Sequence, residues 1–204
     1  NKLLKSELEN FLNGKTSQNV FLTADNGKGK TFLLNSILNN EHLEGYKIIY
    51  IDVASLNQEK NYFAELSNFD LICLDNIEKT SETLEVQIFN LINECKDSST
   101  NLLFASSNHP DNLNFLPDLI SRFKEFKQYR IYSIADDDVE DCIKFIASKL
   151  KLNYSEDLIS FFSTRIKRDF LSIKTTIQDF DKFLYSEQKQ PTKMSAASFL
   201  KTYS

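Results

Sequence analysis

The stretch Ala24-Asp25-Asn26-Gly27-Lys28-Gly29-Lys30-Thr31 holds two of the chain's four glycines, separated by a single residue. It follows the apolar run Val20-Phe21-Leu22 and precedes the apolar, helix-like Phe32-Leu33-Leu34-Asn35-Ser36-Ile37-Leu38. Glycines so placed let backbone N–H groups turn inward around an anion, and the helix that follows offers its positive N-terminal end. In such a loop Lys30 reaches β- and γ-phosphates, and the Thr31 hydroxyl ligates Mg²⁺. Asn26, Gly27, Lys28, Gly29, Lys30, Thr31 and Phe32 are therefore the expected nucleotide contacts, although Lys28 is expected to face solvent. The G-x-x-x-x-G-K-[ST] spacing puts Ala24 where the first glycine belongs, which a turn accepts if φ stays negative there. A charged turn that holds no ligand is the competing reading, and the strand, loop and helix order weighs against it.

A second cluster completes such a site. Leu71-Ile72-Cys73-Leu74-Asp75 is an apolar strand ending in a carboxylate, the form of a Mg²⁺-holding Asp beside a phosphate loop. In many ATPases of this type an acid follows directly and orients the attacking water. Here the next residue is Asn76, and an amide takes no proton, so weak or absent intrinsic hydrolysis is expected. Glu78, two residues on, is the alternative acid that could substitute; if the strand continues past Asp75, its side chain is carried away from the site.

The elements that position these residues follow from periodicity. Short apolar runs at 20–23, 48–52, 71–75, 102–106 and 129–134 read as five strands, alternating with helical patterns at 2–12, 31–39, 81–95 and 117–123. Such alternation implies an α/β fold with a mostly parallel five-stranded sheet and ligands at the carboxyl ends of its strands. From about Ala135 the strands stop, and 136–150, 155–166, 169–185 and 195–203 carry helical stripes, with a polar loop at 186–193. Two domains are expected, an α/β nucleotide-binding domain over 1–134 and a helical lid over 135–204.

Composition narrows the function. The 204 residues are 41% hydrophobic and carry a net charge of −5, which argues against nonspecific DNA binding as the main role. The cation-rich stretches 122–130 and 165–168 are expected to be solvated edges. No apolar run approaches the roughly 20 residues of a membrane-spanning helix, and the N-terminal pattern is not that of a signal peptide, so a cytoplasmic protein is expected. Three cysteines without metal-ligand spacing fit reduced thiols, and His42 and His109 lie far from each other.

With Leu-Asp-Asn-Ile-Glu at 74–78, Asn-Gly-Lys-Gly-Lys-Thr-Phe-Leu-Leu at 26–34, Leu-Pro-Asp-Leu-Ile-Ser-Arg-Phe at 116–123 and the helical last third, the chain resembles the DnaA/Hda family of bacterial AAA+ replication proteins. The likeness runs over essentially the whole chain and is stronger to the Hda-like regulatory branch. It implies a P-loop AAA+ fold that binds ADP or ATP with Mg²⁺ through Thr31 and Asp75. It places the family's arginine finger, which acts in trans on a neighbour's ATP, at Arg122. An isolated Arg122 would otherwise read as a C-terminal helix charge complementing the dipole. The resemblance puts the phosphate-sensing position after the fourth strand at Ser107 or Asn108, where an Asp of DnaA aligns with Ser107. It aligns the lid's sensor arginine with Leu171, leaving Arg168, three residues earlier and expected on the same helix face, as the remaining cation.

Ala24, Asn76, Ser107 and Leu171 all weaken the chain's own ATPase machinery, while Arg122 remains to act on another molecule. The resemblance thus implies a regulator of replication initiation that promotes hydrolysis of DnaA-bound ATP, with DnaA and the DNA polymerase III sliding clamp as partners and with room for a homodimer. The family's DNA-reading helix-turn-helix domain is expected to be absent, and with it sequence-specific DNA binding. The glutamine-and-leucine clamp peptide of Hda-like proteins is expected either to have been trimmed or to be replaced by another mode of engagement. A DnaC-like helicase loader and a nucleotide-binding interaction module without a catalytic role are the alternatives.

Overall fold

A computed structural model of the chain describes residues 2–12, 19–38, 45–57, 60–96, 98 and 100–202. His42, Asn39 and Tyr203 lie outside them. The chain folds as two compact units, residues 1–132 and 133–204.

The first unit is a five-stranded sheet of β1 (Val20–Thr23), β2 (Ile48–Asp52), β3 (Leu71–Asp75), β4 (Asn101–Ser106) and β5 (Lys127–Arg130), in the order β2-β3-β4-β1-β5. Every pairing is parallel. Helices α1 (Lys2–Leu12), α2 (Lys30–Leu38), α3 (Glu82–Lys96) and α4 (Pro117–Glu125) complete the unit. Because side chains alternate across a strand, the central strands are apolar on both faces. Val20, Leu22, Leu71, Cys73, Leu103 and Ala105 pack with Leu8 and Phe11 of α1 and Leu34 and Ile37 of α2. Phe21, Ile72, Leu74, Leu102 and Phe104 pack on the other face with Leu84, Ile88, Leu91 and Ile92 of α3 and Leu119 and Phe123 of α4.

Strand β5 begins and ends earlier than the apolar run 129–134 suggests. Its bounds are set by pairing rather than by hydrophobicity: Lys127 to Arg130 lie opposite Val20 to Thr23, and the Lys127 N–H donates to the Asn19 carbonyl at 2.8 Å. As an edge strand it tolerates Lys127 and Gln128, which the apolar pattern passes over. The Ile131 N–H adds one more bond, to the Thr23 carbonyl at 2.9 Å, before the chain leaves the sheet.

The second unit holds α5 (Val139–Lys149), α6 (Glu156–Ser163), α7 (Phe170–Ser186) and α8 (Lys193–Thr202). Their apolar stripes meet in one core in which Phe162, Phe180, Ile173 and Ile177 are fully buried. Ser155 and Asp169 cap α6 and α7, accepting the N–H groups of Leu158 (3.3 Å) and Ser172 (2.8 Å). None of the described helices is long and apolar enough to cross a membrane.

Candidate nucleotide-binding site

The loop between β1 and α2 turns through Gly27 (φ 82°) and Gly29 (φ 96°), both in the left-handed region where a Cβ is strained. Ala24 is not among the described residues with positive φ, which is why alanine serves there. It is fully buried, and its N–H donates to the Ser106 carbonyl at the tip of β4, at 3.1 Å. Helix α2 begins at Lys30 and has its first bond from the Leu33 N–H to the Gly29 carbonyl, 2.9 Å.

Lys30 is buried, at 6% exposure, and its ammonium donates to the carbonyls of Ala24 (2.6 Å) and Asp25 (3.5 Å), closing the loop on itself. Burial lowers its pKa, while the carboxylates of Glu78, Asp75 and Asp25 act in the opposite direction. Lys28, expected in solvent, is only partly exposed, and Phe32 is 39% exposed at the start of α2.

Thr31 and Asp75 meet across 44 residues of sequence. The Thr31 hydroxyl donates to Asp75 Oδ2 at 2.5 Å, and the carboxylate is fully buried. Donating its proton leaves the Thr31 oxygen its lone pairs, so the pair offers hard oxygen ligands suited to Mg²⁺. These donors fit the metal that the phosphate loop implies.

Past Asp75 the strand does not continue. Asn76 adopts φ 57°, ψ 41°, and a 3-10 turn, Ile77–Lys79, follows. The Asn76 side chain donates to Asp52 Oδ1 at the end of β2, 2.8 Å away, so it is held toward the neighbouring strand. The same turn brings Glu78 back: its Oε2 accepts the Ser107 N–H at 3.0 Å, and it acts on the charge of Lys30. This corrects the expectation that Glu78 is carried away. Burial pushes the Glu78 carboxyl up, yet hydrogen bonds from Ser107 and Ser106 outweigh it and hold the pKa below the ordinary glutamate value. Lys30, Thr31, Asp75, Glu78 and Ser107 are thereby linked at the carboxyl ends of β1, β3 and β4. Asn108 lies beside them, exposed, with its N–H on Ser106 Oγ at 3.0 Å.

Arg122 belongs to a different surface. Phe123 drives α4 into the sheet, with ring centroids 5.0 Å from Phe21 and 5.5 Å from Phe104. Buried Glu85 of α3 holds the start of the helix by accepting the Leu116 N–H at 2.7 Å. Arg122, the residue before Phe123, is partly buried: it reaches Glu125 at 3.1 Å and lies over the Phe89 ring of α3 at 5.7 Å. Other cations of the stretch 122–130 are also paired, Lys124 with Asp111, Lys127 with Glu7 and Arg130 with Asp25, as solvated edges are.

In the second unit Arg168 is not on the helix of Leu171. Asp169 caps α7, so Arg168 stands before the cap, where it pairs with Asp136 at 2.5 Å. Leu171 sits in the first turn of α7, 57% exposed. Asp169 itself, a capping residue type ahead of an apolar stripe, was the signal in the sequence.

No family model matches the chain. Among solved structures it is similar to domain III of the Thermotoga maritima replication initiation protein DnaA, with a TM-score of 0.77 and 18% identity over 91% of this chain and 84% of that one. AMPPCP-bound DnaA from Aquifex aeolicus matches with a TM-score of 0.70 and 21% identity over 89% of this chain. The chain spans 61% of the length of that DnaA structure. The RuvB Holliday junction branch migration motor of Thermotoga maritima matches at 0.75 and 17% over 98% of this chain and 67% of its own. The chain has the AAA+ P-loop fold. Identities this low make the likeness one of fold.

Proposed function

We propose that the chain is an Hda-like regulator of replication initiation: it binds ADP or ATP with Mg²⁺ and uses Arg122 in trans to promote hydrolysis of ATP held by DnaA, with the sliding clamp as cofactor of the reaction. The observation that carries this reading is the asymmetry of the site. Its holding half, Lys30, Thr31 and Asp75, is complete and internally bonded, whereas the position for a water-orienting acid holds Asn76, bonded to Asp52 instead. A chain built to hold nucleotide but poorly built to cleave it suits a partner-directed role. Arg122 supports it further, because the Glu125 pair that holds its guanidinium is exposed and weak. The cytoplasm, where replication proteins act, is its proposed location.

The test is hydrolysis of DnaA-bound ATP in the presence of DNA-loaded clamp, comparing the chain with Arg122→Ala. Arginine fingers contribute about 10³ to 10⁵ in rate in related phosphoryl transfers. Acceleration by the wild type that falls by at least about 10³ in the variant is the expected result. Absence of acceleration by a folded wild type would remove this mechanism and favour a helicase-loader or passive nucleotide-binding role.

A further inference from the structure

Asp75 accepts a second hydroxyl that no motif announces. Tyr50 stands on β2 opposite Cys73 in the parallel register, and its side chain leans along the strand until the phenol donates to Asp75 Oδ2 at 3.1 Å. That oxygen therefore receives Thr31 from α2 and Tyr50 from β2, while Oδ1 receives the Asn76 N–H at 2.9 Å. A carboxylate offers about four lone-pair sites, so three donors from three segments fix its plane and leave one direction open.

We propose that Tyr50 is a positioning residue for the nucleotide-bound Mg²⁺: its hydroxyl holds the Asp75 carboxylate in the rotation that presents the open lone pair to metal-bound water. Without Tyr50 one donor remains on each oxygen, Thr31 on Oδ2 and the Asn76 N–H on Oδ1, and Oδ2 loses the second bond that sets its rotation. Outer-shell partners of this kind orient metal-facing groups, and their loss commonly costs 10- to 100-fold in metal affinity. The ring of Tyr50 also packs against the apolar cluster that contains Leu22 and Cys73, a filling role that needs no hydroxyl. The two roles separate on removing the oxygen alone.

The inference rests on the nucleotide-binding part of the proposed function, not on the trans-acting one. The experiment measures binding of a fluorescent N-methylanthraniloyl-ADP to the 204-residue chain in excess Mg²⁺ and in EDTA. In Tyr50→Phe the affinity in EDTA is expected to equal that of the wild type, while the tightening produced by Mg²⁺ shrinks about tenfold. Tyr50→Met, which fills the same space without a hydroxyl, gives the same split should the phenylalanine variant fold poorly. Unchanged Mg²⁺ tightening overturns the inference and leaves the nucleotide site standing, as does an equal loss with and without metal. A wild type that binds no ADP under either condition overturns both.

Discussion

The two halves of the proposed nucleotide site are built by different means. The holding half joins residues far apart in sequence by short bonds in buried surroundings: Lys30 to Ala24, Thr31 to Asp75 and Tyr50 to Asp75. The half proposed for hydrolysis hangs on one left-handed residue. Asn76 turns the chain, gives its own amide to Asp52, and returns Glu78 to the β4 tip two positions late. The first arrangement is tied down from several segments at once. The second sets its carboxylate beyond the strand end on one turn, so the two halves can be perturbed separately.

The largest expected effect falls on the holding half. Lys30→Met keeps the length of the buried stem and removes the charge. Hydrogen bonds to charged groups contribute up to about 3 kcal/mol, so ADP affinity is expected to drop about 100-fold. The melting temperature should change little, because the lost bond to the buried Ala24 carbonyl is offset by relief of the desolvation that depresses the ammonium's pKa. Isothermal titration and thermal melting read the two quantities separately. A variant that loses stability but keeps its affinity would break the contrast, since Lys30 would then serve the loop and not the ligand.

A smaller effect tests the hydrolysing half. Asn76→Asp places an acid directly after Asp75 but sets it against Asp52, to which the amide now donates. Loss of that bond and the like-charge contact should lower stability by about 1 kcal/mol, seen as a lower denaturant midpoint. The chain's own ATP turnover should stay within a few-fold of the wild type, because the new carboxylate inherits a backbone that aims it at β2. Exchanging the pair, Asn76→Asp with Asp52→Asn, should recover the stability. Turnover rising by 10² or more in the single variant, the scale of a working general base, would mean that only one atom type separates this site from an autonomous ATPase.

Most of the frame was legible because it is written in apolar runs. Strands β1, β2 and β3 have the bounds that alternation around the core demands, and β4 begins one residue earlier than its pattern, at Asn101. The edge strand β5 was misplaced because Lys127 and Gln128 take part through their backbone, which hydropathy does not report. The meeting of Thr31 with Asp75 is legible in the loop and strand motifs. The return of Glu78 was not, since a strand pattern says nothing of where the strand stops; yet Asn76 was itself a signal, asparagine being enriched at positive φ. Tyr50 gave none, because a phenol on a neighbouring strand reaches the carboxylate only through register and twist. Arg168 was put on the wrong side of a cap that a single Asp marks.

The smallest effect concerns the displaced carboxylate. Glu78 has a folded pKa below its unfolded value of 4.5, so the native state binds fewer protons than the unfolded one in the interval between the two. Its contribution to stability is thus present in full above 4.5 and is lost as pH falls through the lowered folded value. Glu78→Gln removes this proton uptake, so denaturant midpoints followed from pH 7 into the acid range should fall less steeply for the variant. Near pH 7 the variant loses the bond from the Ser107 amide only in part, since glutamine still accepts it through its oxygen. The affinity for ADP should then change little or rise, because a negative charge beside Lys30 has been removed. Equal acid slopes for the two proteins would mean that Glu78 is as well bonded in the unfolded chain as in the site, and would return it to the role of a surface acid with no hold on the β4 tip.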